Sequence, residues 1–556
     1  MASSMCHKCK RPHRRVSPLV EEFTVQGTQN GSGPDAALDN FPAIHNNLCP
    51  SEPPPSPVLR RFPSLSNSTF GSVESSSTLA EDDDHGGSLK DPEKNIVQTR
   101  APEVGFFNSA LAKTRLDVFC KYSKTLAILC VFVLAVLSLF WGVLFRVREN
   151  LRHATIAVVN FDASLSPYQN VEPVVGPFVE DAVRRELATQ QYPLGYKFVP
   201  PVKFNNDPFA VRLAVHQERY WGAIIVNNNA TALLRQAVAN GNSSYDPFGA
   251  AQIITNQARD IESYNQYITP VLLRLASDIS FDFGRNWTSQ VLTDTSLAQV
   301  IYSNVPQALS PGIGFSIFNL RPFDPPTAIP AVSIGLIYLI IIAFFSFGFF
   351  IPTHMKFILP STSSPHPPLK FAHLIIWRYF STITAYFFLA LCYSLVSLAF
   401  QIPFSRTPPH GLSTWPKNDV ADNANYLGKS TFLVYWMLNF FGMSALGLAC
   451  ENVAMLIGQP WTALWLVFWV ITNVSTGFYA LELAPGFYGW GYAWPLRQIV
   501  YASRTLLFGT NSKLGVNFGI LAAWIVVGTV LFPVSCWVMR WKGVRDKKKL
   551  AAMQTN

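Results

Sequence analysis

Charge is what this sequence has least of. Only 14% of its 556 residues are Asp, Glu, Lys or Arg, where soluble domains carry roughly 25%. With 49% hydrophobic residues and 13% aromatic, such a chain needs a solvent other than water, and an ordinary soluble enzyme is excluded. Cysteine is missing altogether between residues 150 and 330, so no disulfide can staple that stretch and its own apolar core must hold it. Cys6-His7-Lys8-Cys9 has the spacing of half a zinc site, but no second Cys pair or His-x-x-x-His follows. Three ligands in four residues cannot close a tetrahedron.

Catalytic signatures are lacking too. No His-Glu-x-x-His and no Gly-x-Ser-x-Gly occurs. Gly428-Lys429-Ser430-Thr431 resembles the end of a phosphate-binding loop, but Asn423 stands where the first glycine belongs. The sequence therefore assigns no catalytic, cofactor-binding or metal-ligating residue, and the expectation is a non-enzyme without a cofactor. Without an ATPase motif it cannot by itself be a nucleotide-driven pump.

What is present is a series of long uncharged runs. Residues 125–145 read TLAILCVFVLAVLSLFWGVLF, and 21 residues at 1.5 Å each cross a ~30 Å hydrocarbon core. Further spans are expected at 331–351, 379–402, 430–450, 461–481 and 517–539, six in all. Residues 1–110, rich in Ser, Pro and Asp, lack sustained hydrophobic periodicity and read as a disordered cytosolic tail. They also lack the early apolar core of a cleaved signal peptide, so the first span directs targeting. Within the tail, Arg14-Arg15-Val16-Ser17 has the form that basophilic kinases read, making Ser17 a candidate phosphorylation site.

The net charge of +9 could suggest nucleic acid, but its placement does not. Arg540, Lys542, Arg545, Lys547, Lys548 and Lys549 follow directly on the last run, as a membrane-surface anchor does. The expected partner is the lipid bilayer, with self-association or a membrane-protein partner open and no nucleic acid. Lys113, Arg115, Lys121 and Lys124 precede the first run, and Lys356, Lys370 and Arg378 lie between the second and third. Six spans put all three basic groups on the cytosolic side, although Arg146, Arg148 and Arg152 oppose that orientation. Residues 150–328 then lie outside the cytosol. Three glycosylation sequons there, at Asn229, Asn242 and Asn286, corroborate it.

That long insertion reads as an α/β or α+β extracytoplasmic domain. A strand-like Ala154–Val159 run ends in Asn160-Phe161-Asp162, where Asx side chains close turns. Pro177–Gln190 has the period of a helix, Trp221–Val226 reads as a second buried strand, and 250–300 reads as largely helical. Asn439 and Asn473 stand inside expected spans and Glu482 at a span end. Polar groups at such depth mark either a transport path or bonds between helices. Residues 483–510 form an interfacial or re-entrant element. Leu483–Leu496 has five aromatics in 14 residues, broken by glycines and prolines, too short to cross. Arg497 and Arg504, seven apart on one helical face, can hold it against lipid headgroups or the extracytoplasmic domain.

One span, an insertion opening with Ala157-Val158-Val159-Asn160-Phe161-Asp162, then five spans resembles bacterial Pip-type phage-infection proteins and the permeases of type-2 ABC exporters. The Trp221–Val226 strand and the Tyr488-Gly489-Trp490-Gly491-Tyr492 region look closer to the fungal nitrosoguanidine-resistance family. That resemblance implies a permease-like protein of the plasma membrane, with an endomembrane as the alternative, that contributes to tolerance of toxic compounds by export or by altering lipid distribution. The alternative is a regulator or scaffold that binds another membrane protein such as a lipid flippase. The topology predicts that glycosidase treatment shifts the protein's electrophoretic band and that accessibility tags within 150–328 are shielded from cytosolic reagents; unshifted bands with cytosol-reactive tags would overturn it.

Overall fold

A computed structural model describes residues 104–293, 304–358, 369–402, 404, 427–458 and 460–554. The expected tail up to residue 103, Ser17 with it, and the side chains of Lys547, Lys548 and Lys549 lie outside the described residues. The first helix, α1, runs Ala112–Gly142 and thus starts before and ends short of the expected 125–145. Its basic first turns are good helix formers, tied locally by a 2.6 Å Lys121–Asp117 pair. It stops at Gly142, and Arg146 beyond it takes a left-handed φ of 60°.

The insertion is an α/β domain around one mixed five-stranded sheet. In chain order its elements are β1 Thr155–Asn160, α2 Val175–Thr189, β2 Gly195–Phe198, α3 Pro208–His216, β3 Gly222–Val226, α4 Ala230–Asn240, β4 Ala251–Thr255, α5 Thr269–Thr293 and β5 Phe315–Asn319. The sheet order is β2-β1-β3-β4-β5. β1 pairs parallel with β2 and β3, β4 runs antiparallel to β3, and β5 is parallel to β4. Helices cover both faces, so β3 is apolar at every position and β1 at all but its two ends. Ile156, Val158, Ile224 and Ile253 face α2, α4 and α5, while Ala157, Val159, Ala223 and Ile225 face α3. The helical reading of 250–300 is corrected at its start: β4 occupies Ala251–Thr255, and its Ile253-Ile254 pair is buried between sheet neighbours.

Asp162, just past β1, fastens two of these helices. Its carboxylate accepts from Gly176 N at 2.9 Å in the first turn of α2, and from Thr231 N at 3.0 Å and Thr231 Oγ1 at 2.6 Å in the first turn of α4. Asn160 Oδ1 accepts from Asp162 N at 3.0 Å, the expected Asx turn.

The remaining helices are α6 Ile337–Ile358, α7 Phe371–Ala399, α8 Thr431–Ile457, α9 Thr462–Gly477, α10 Pro495–Phe508 and α11 Leu514–Gln554. α8 is the hub. Contacts between Phe441 and Phe518, Leu448 and Gly528, and Met455 and Cys536 climb together, so α8 and α11 run parallel. Those between Asn439 and Ser394, and between Glu451 and Arg378, run in opposite order, so α7 is antiparallel. Gly447 lets Tyr386 close in, since a Cβ there would sit 2.5 Å from the Tyr386 hydroxyl.

By length and composition, five helices among the described residues can cross a membrane: α1, the segment ending in α6, α7, α8 and α11. Over the expected fifth span, 461–481, the helix is shorter and apolar. Its helix α9 has 16 residues, about 24 Å at 1.5 Å per residue, and stops at Gly477. The expected 331–351 span also starts late, with α6 regular only from Ile337 after broken turns around Pro330 and Gly335. α7 and α11 begin before their expected starts at 379 and 517, and α8 outlasts 450, because polar residues sheltered by neighbouring helices do not end a helix. The chain is a multi-pass helical membrane protein.

Asp162→Ala removes caps from two helix N-termini at once and leaves buried N–H groups unsatisfied. We expect a loss of about 3 kcal/mol, read as a lowered melting temperature with membrane insertion unchanged; an unshifted melt would refute the double-cap role.

Candidate functional site

After α9 the chain turns back toward the α/β domain. Ala480 and Leu483 join that domain's apolar core, and Asn150 Nδ2 donates to Leu483 O at 3.0 Å. A run of tight turns, Gly486–Ala493, then carries the aromatic segment back into the helices. Tyr488 donates to Leu139 O of α1 at 2.8 Å, and Gly491 passes Thr476 so closely that a Cβ would lie 2.4 Å from it. Trp494 reaches Thr472 Oγ1 of α9 at 3.2 Å, while Trp524 of α11 donates to Ala493 O at 2.8 Å.

From this depth α10 starts. Pro495 suits a first helical position, having no N–H to satisfy. Asn473 Oδ1 accepts from Leu496 N at 3.1 Å, so the polar residue inside the expected fifth span serves as a cap. α10 is covered on nearly every side: of its fourteen residues only Tyr501 and Thr505 escape full burial. Gly442 of α8 makes room for Ile499, with a hypothetical Cβ 2.5 Å from Ile499 Cδ1. Gln498 accepts from Asn517 of α11 at 2.8 Å. The helix ends at Gly509, whose φ of 67° favours glycine.

The far end of α10 meets the α/β domain through buried polar contacts. Arg504 NH1 donates to Arg259 O at 2.7 Å and pairs with Asp260 Oδ2 at 3.3 Å; the two side chains are 4% and 2% exposed. Arg321 Nε donates to Gly509 O at 2.8 Å, Asn511 to Gln217 O at 3.1 Å, and Lys513 pairs with Glu218 at 2.7 Å. Asp260 is itself fixed, its Oδ1 capping Ser263 N at 2.9 Å. Arg259 lies 3.8 Å over the Trp221 ring and donates to Tyr220 O at 3.2 Å. Tyr264 donates to Trp221 O, and burial holds its hydroxyl well above the ordinary tyrosine range, so the donor keeps its proton.

Of the two arginines singled out in the sequence, Arg504 therefore grips the α/β domain rather than solvent or lipid. Arg497 sits in the first turn of α10, 6% exposed, with its guanidinium 4.1 Å from the Tyr501 ring and 4.6 Å from that of Tyr492. Glu482 is half-buried and lies beside the Tyr492 hydroxyl. Asn439 donates to Ser394 Oγ at 2.9 Å and so bonds α8 to α7. The sequons are dispersed: Asn286 and Asn242 are exposed, whereas Asn229 is half-buried and its Thr231 is wholly buried under Asp162. Among the described residues no group of three or more His, Cys, Asp or Glu gathers as metal ligands would.

Sequence reasoning missed a second buried ion pair. Arg378 NH2 of α7 meets Glu451 Oε1 of α8 at 2.5 Å, each side chain 1% exposed. Thr382 donates to the other carboxylate oxygen at 3.0 Å, and Arg378 NH1 contacts Met539 Sδ of α11 at 3.2 Å. The signal was available: Arg378 opens one expected span and Glu451 closes the next, which puts opposite charges at one depth in antiparallel neighbours.

No solved structure matches this chain. A protein of Saccharomyces cerevisiae, named as an uncharacterized endoplasmic reticulum membrane protein, is 25% identical over 466 residues, covering 80% of this chain and 86% of its own length. The family model described as protein of unknown function (DUF3533) matches residues 125–530, from the first apolar run through α10 into α11, and the chain belongs to that family.

Proposed function

We propose that this is a permease-like, non-enzymatic membrane protein that contributes to resistance to toxic compounds, by export or by influencing lipid distribution. One observation carries the reading: the buried Arg504–Asp260 contact joins the α/β domain to a helix embedded in the centre of the bundle. A shift of the domain is then transmitted to α10, and through Ile499 and Asn517 to α8 and α11. Such a linkage is what a protein needs if events at the membrane surface are to alter helix packing within it. The relationship to a yeast protein named for the endoplasmic reticulum membrane favours an endomembrane over the plasma membrane. With the basic end of α11 in the cytosol, the α/β domain lies in the lumen.

A second reading, a non-transporting regulator that binds another membrane protein such as a lipid flippase, draws support from α1. Of that helix only Val136 is buried, and Leu134, Val131 and Phe119 are exposed, leaving most of its surface to lipid or to a partner's helix.

Arg504→Ala strands Asp260 in a buried site, a cost of about 3–5 kcal/mol. At matched expression the variant is expected to lower the melting temperature by several degrees and to abolish resistance to an alkylating toxicant, and vesicles carrying it should move labelled lipid or toxicant more slowly than wild type. Full resistance with wild-type flux in Arg504→Ala would overturn the coupling. If wild-type vesicles show no flux of either probe while a flippase co-purifies with the protein, the regulatory reading replaces the permease reading.

A further inference from the structure

Beside the domain contact, the start of α10 holds polar groups that the coupling does not use. Arg497 is buried, yet its NH1 has no hydrogen-bond partner. Glu482 acts on it electrostatically, but the two form no ion pair, and Glu482 Oε2 is likewise buried and unpartnered. Leaving a charged donor and a charged acceptor unsatisfied out of water is expensive. Arg497 instead hydrogen-bonds the Tyr501 side chain and Glu482 that of Tyr492, which leaves one atom of each group unpartnered. Here they are held apart, Arg497 by the rings of Tyr492 and Tyr501 and Glu482 by its place in the turn after α9, where Leu481 and Leu483 on either side are buried.

Arg497 also occupies the wrong end of a helix. The first turn of α10 presents the positive pole of its dipole, where a cation is disfavoured and an anion welcome. The guanidinium and the helix pole together make a strong anion locus, and the Tyr492 side chain contacts both the guanidinium and the Glu482 carboxylate. Tyr492 is 49% exposed, so the aromatic side of the cluster opens outward.

We propose that Arg497 and Glu482 form a binding site for a phosphate ester carried together with an ammonium group, the headgroup of a zwitterionic phospholipid. Arg497 NH1 donates to a phosphate oxygen, a charge-assisted bond for which guanidinium geometry is suited. Glu482 Oε2 accepts from, or pairs with, the ammonium, and the faces of Tyr492 and Trp490 flank it. The two protein charges match the headgroup's dipole end for end, so an anionic headgroup meets the carboxylate unfavourably and a simple cation meets the guanidinium unfavourably. The aromatic element, which places Trp490 4.8 Å from Trp494, supplies the amphipathic surroundings that headgroups occupy in a bilayer. This deepens the lipid-handling side of the function proposed above and rests on that reading only for its physiological purpose, not for the binding itself.

The test uses the purified full-length protein in detergent, titrated with short-chain phosphatidylcholine. Binding is read from tryptophan emission and from lipid retained in native mass spectrometry. Wild type is expected to bind saturably. Arg497→Gln should weaken binding by about tenfold, one charge-assisted contact, with Arg497→Lys intermediate. Glu482→Gln should keep phosphate recognition but lose the preference for phosphatidylcholine over phosphatidylglycerol. Free phosphocholine displacing the lipid at equal potency would make the soluble ester the ligand and overturn the lipid assignment. Equal binding by wild type, Arg497→Gln and Glu482→Gln, or equal binding of diacylglycerol, would overturn the site. Melting curves check each variant; should both arginine variants unfold, the headgroup preference of Glu482→Gln decides the matter alone. Lipid flux in vesicles is scored separately: binding without flux leaves the site standing and removes the permease reading, while flux without binding does the reverse.

Discussion

Within a bilayer no water is available to backbone N–H and C=O groups, and every one must be bonded by the protein itself. The segment from 478 to 513 meets the same demand by burial against protein, its turns bonded residue by residue. Leu496 N is taken by Asn473, Ala493 O by Trp524 and Gly509 O by Arg321. The small residues Gly442 and Gly491 are where α10 and the turns before it come closest to their neighbours.

Two buried ion pairs sit at opposite ends of the helical assembly, and their physics is alike. Neither is strong evidence of stability, because taking charges out of water costs about as much as their attraction returns. Their effect is on specificity. Arg378 with Glu451 fixes the relative height of α7 and α8, and Arg504 with Asp260 fixes the α/β domain on α10. In each case one partner alone would be stranded, so the native arrangement is separated from its slipped neighbours by several kcal/mol.

Much of this was legible from composition and spacing. Uncharged runs locate the long helices, because a hydrocarbon core asks for length and apolarity and little else. The strand runs at Ala154–Val159 and Trp221–Val226, apolar but for Thr155, mark the centre of the sheet, and the Asx turn at Asn160 follows from side-chain chemistry. β2 and β5 escaped notice because they are short edge strands whose alternation is blurred by Lys197 and Ser316. Within the fifth expected run the helix is shorter than hydropathy suggests, ending at Gly477, because the residues after it pack on the α/β domain; with α8 and α11 parallel, the chain between them still returns to the side where α8 began. Arg504 was recognised as an anchor while its partner was not, since Asp260 is 244 residues away in sequence and nothing local marks it.

The bond from Tyr488 to Leu139 spans 349 positions of sequence. A ribosome finishes α1 long before it makes the aromatic turns that hold it. Throughout that interval α1 has to stand alone in the bilayer, then the α/β domain must fold beside it, and the closing contact arrives almost last. The composition of α1 suits that wait: residues 125–145 have no charge to hide, and in that run only Val136 and Val143 are buried at the end. Truncated or stalled chains would accordingly stop as a single anchored span with a folded domain, a stage that quality control in the membrane would meet before the bundle exists.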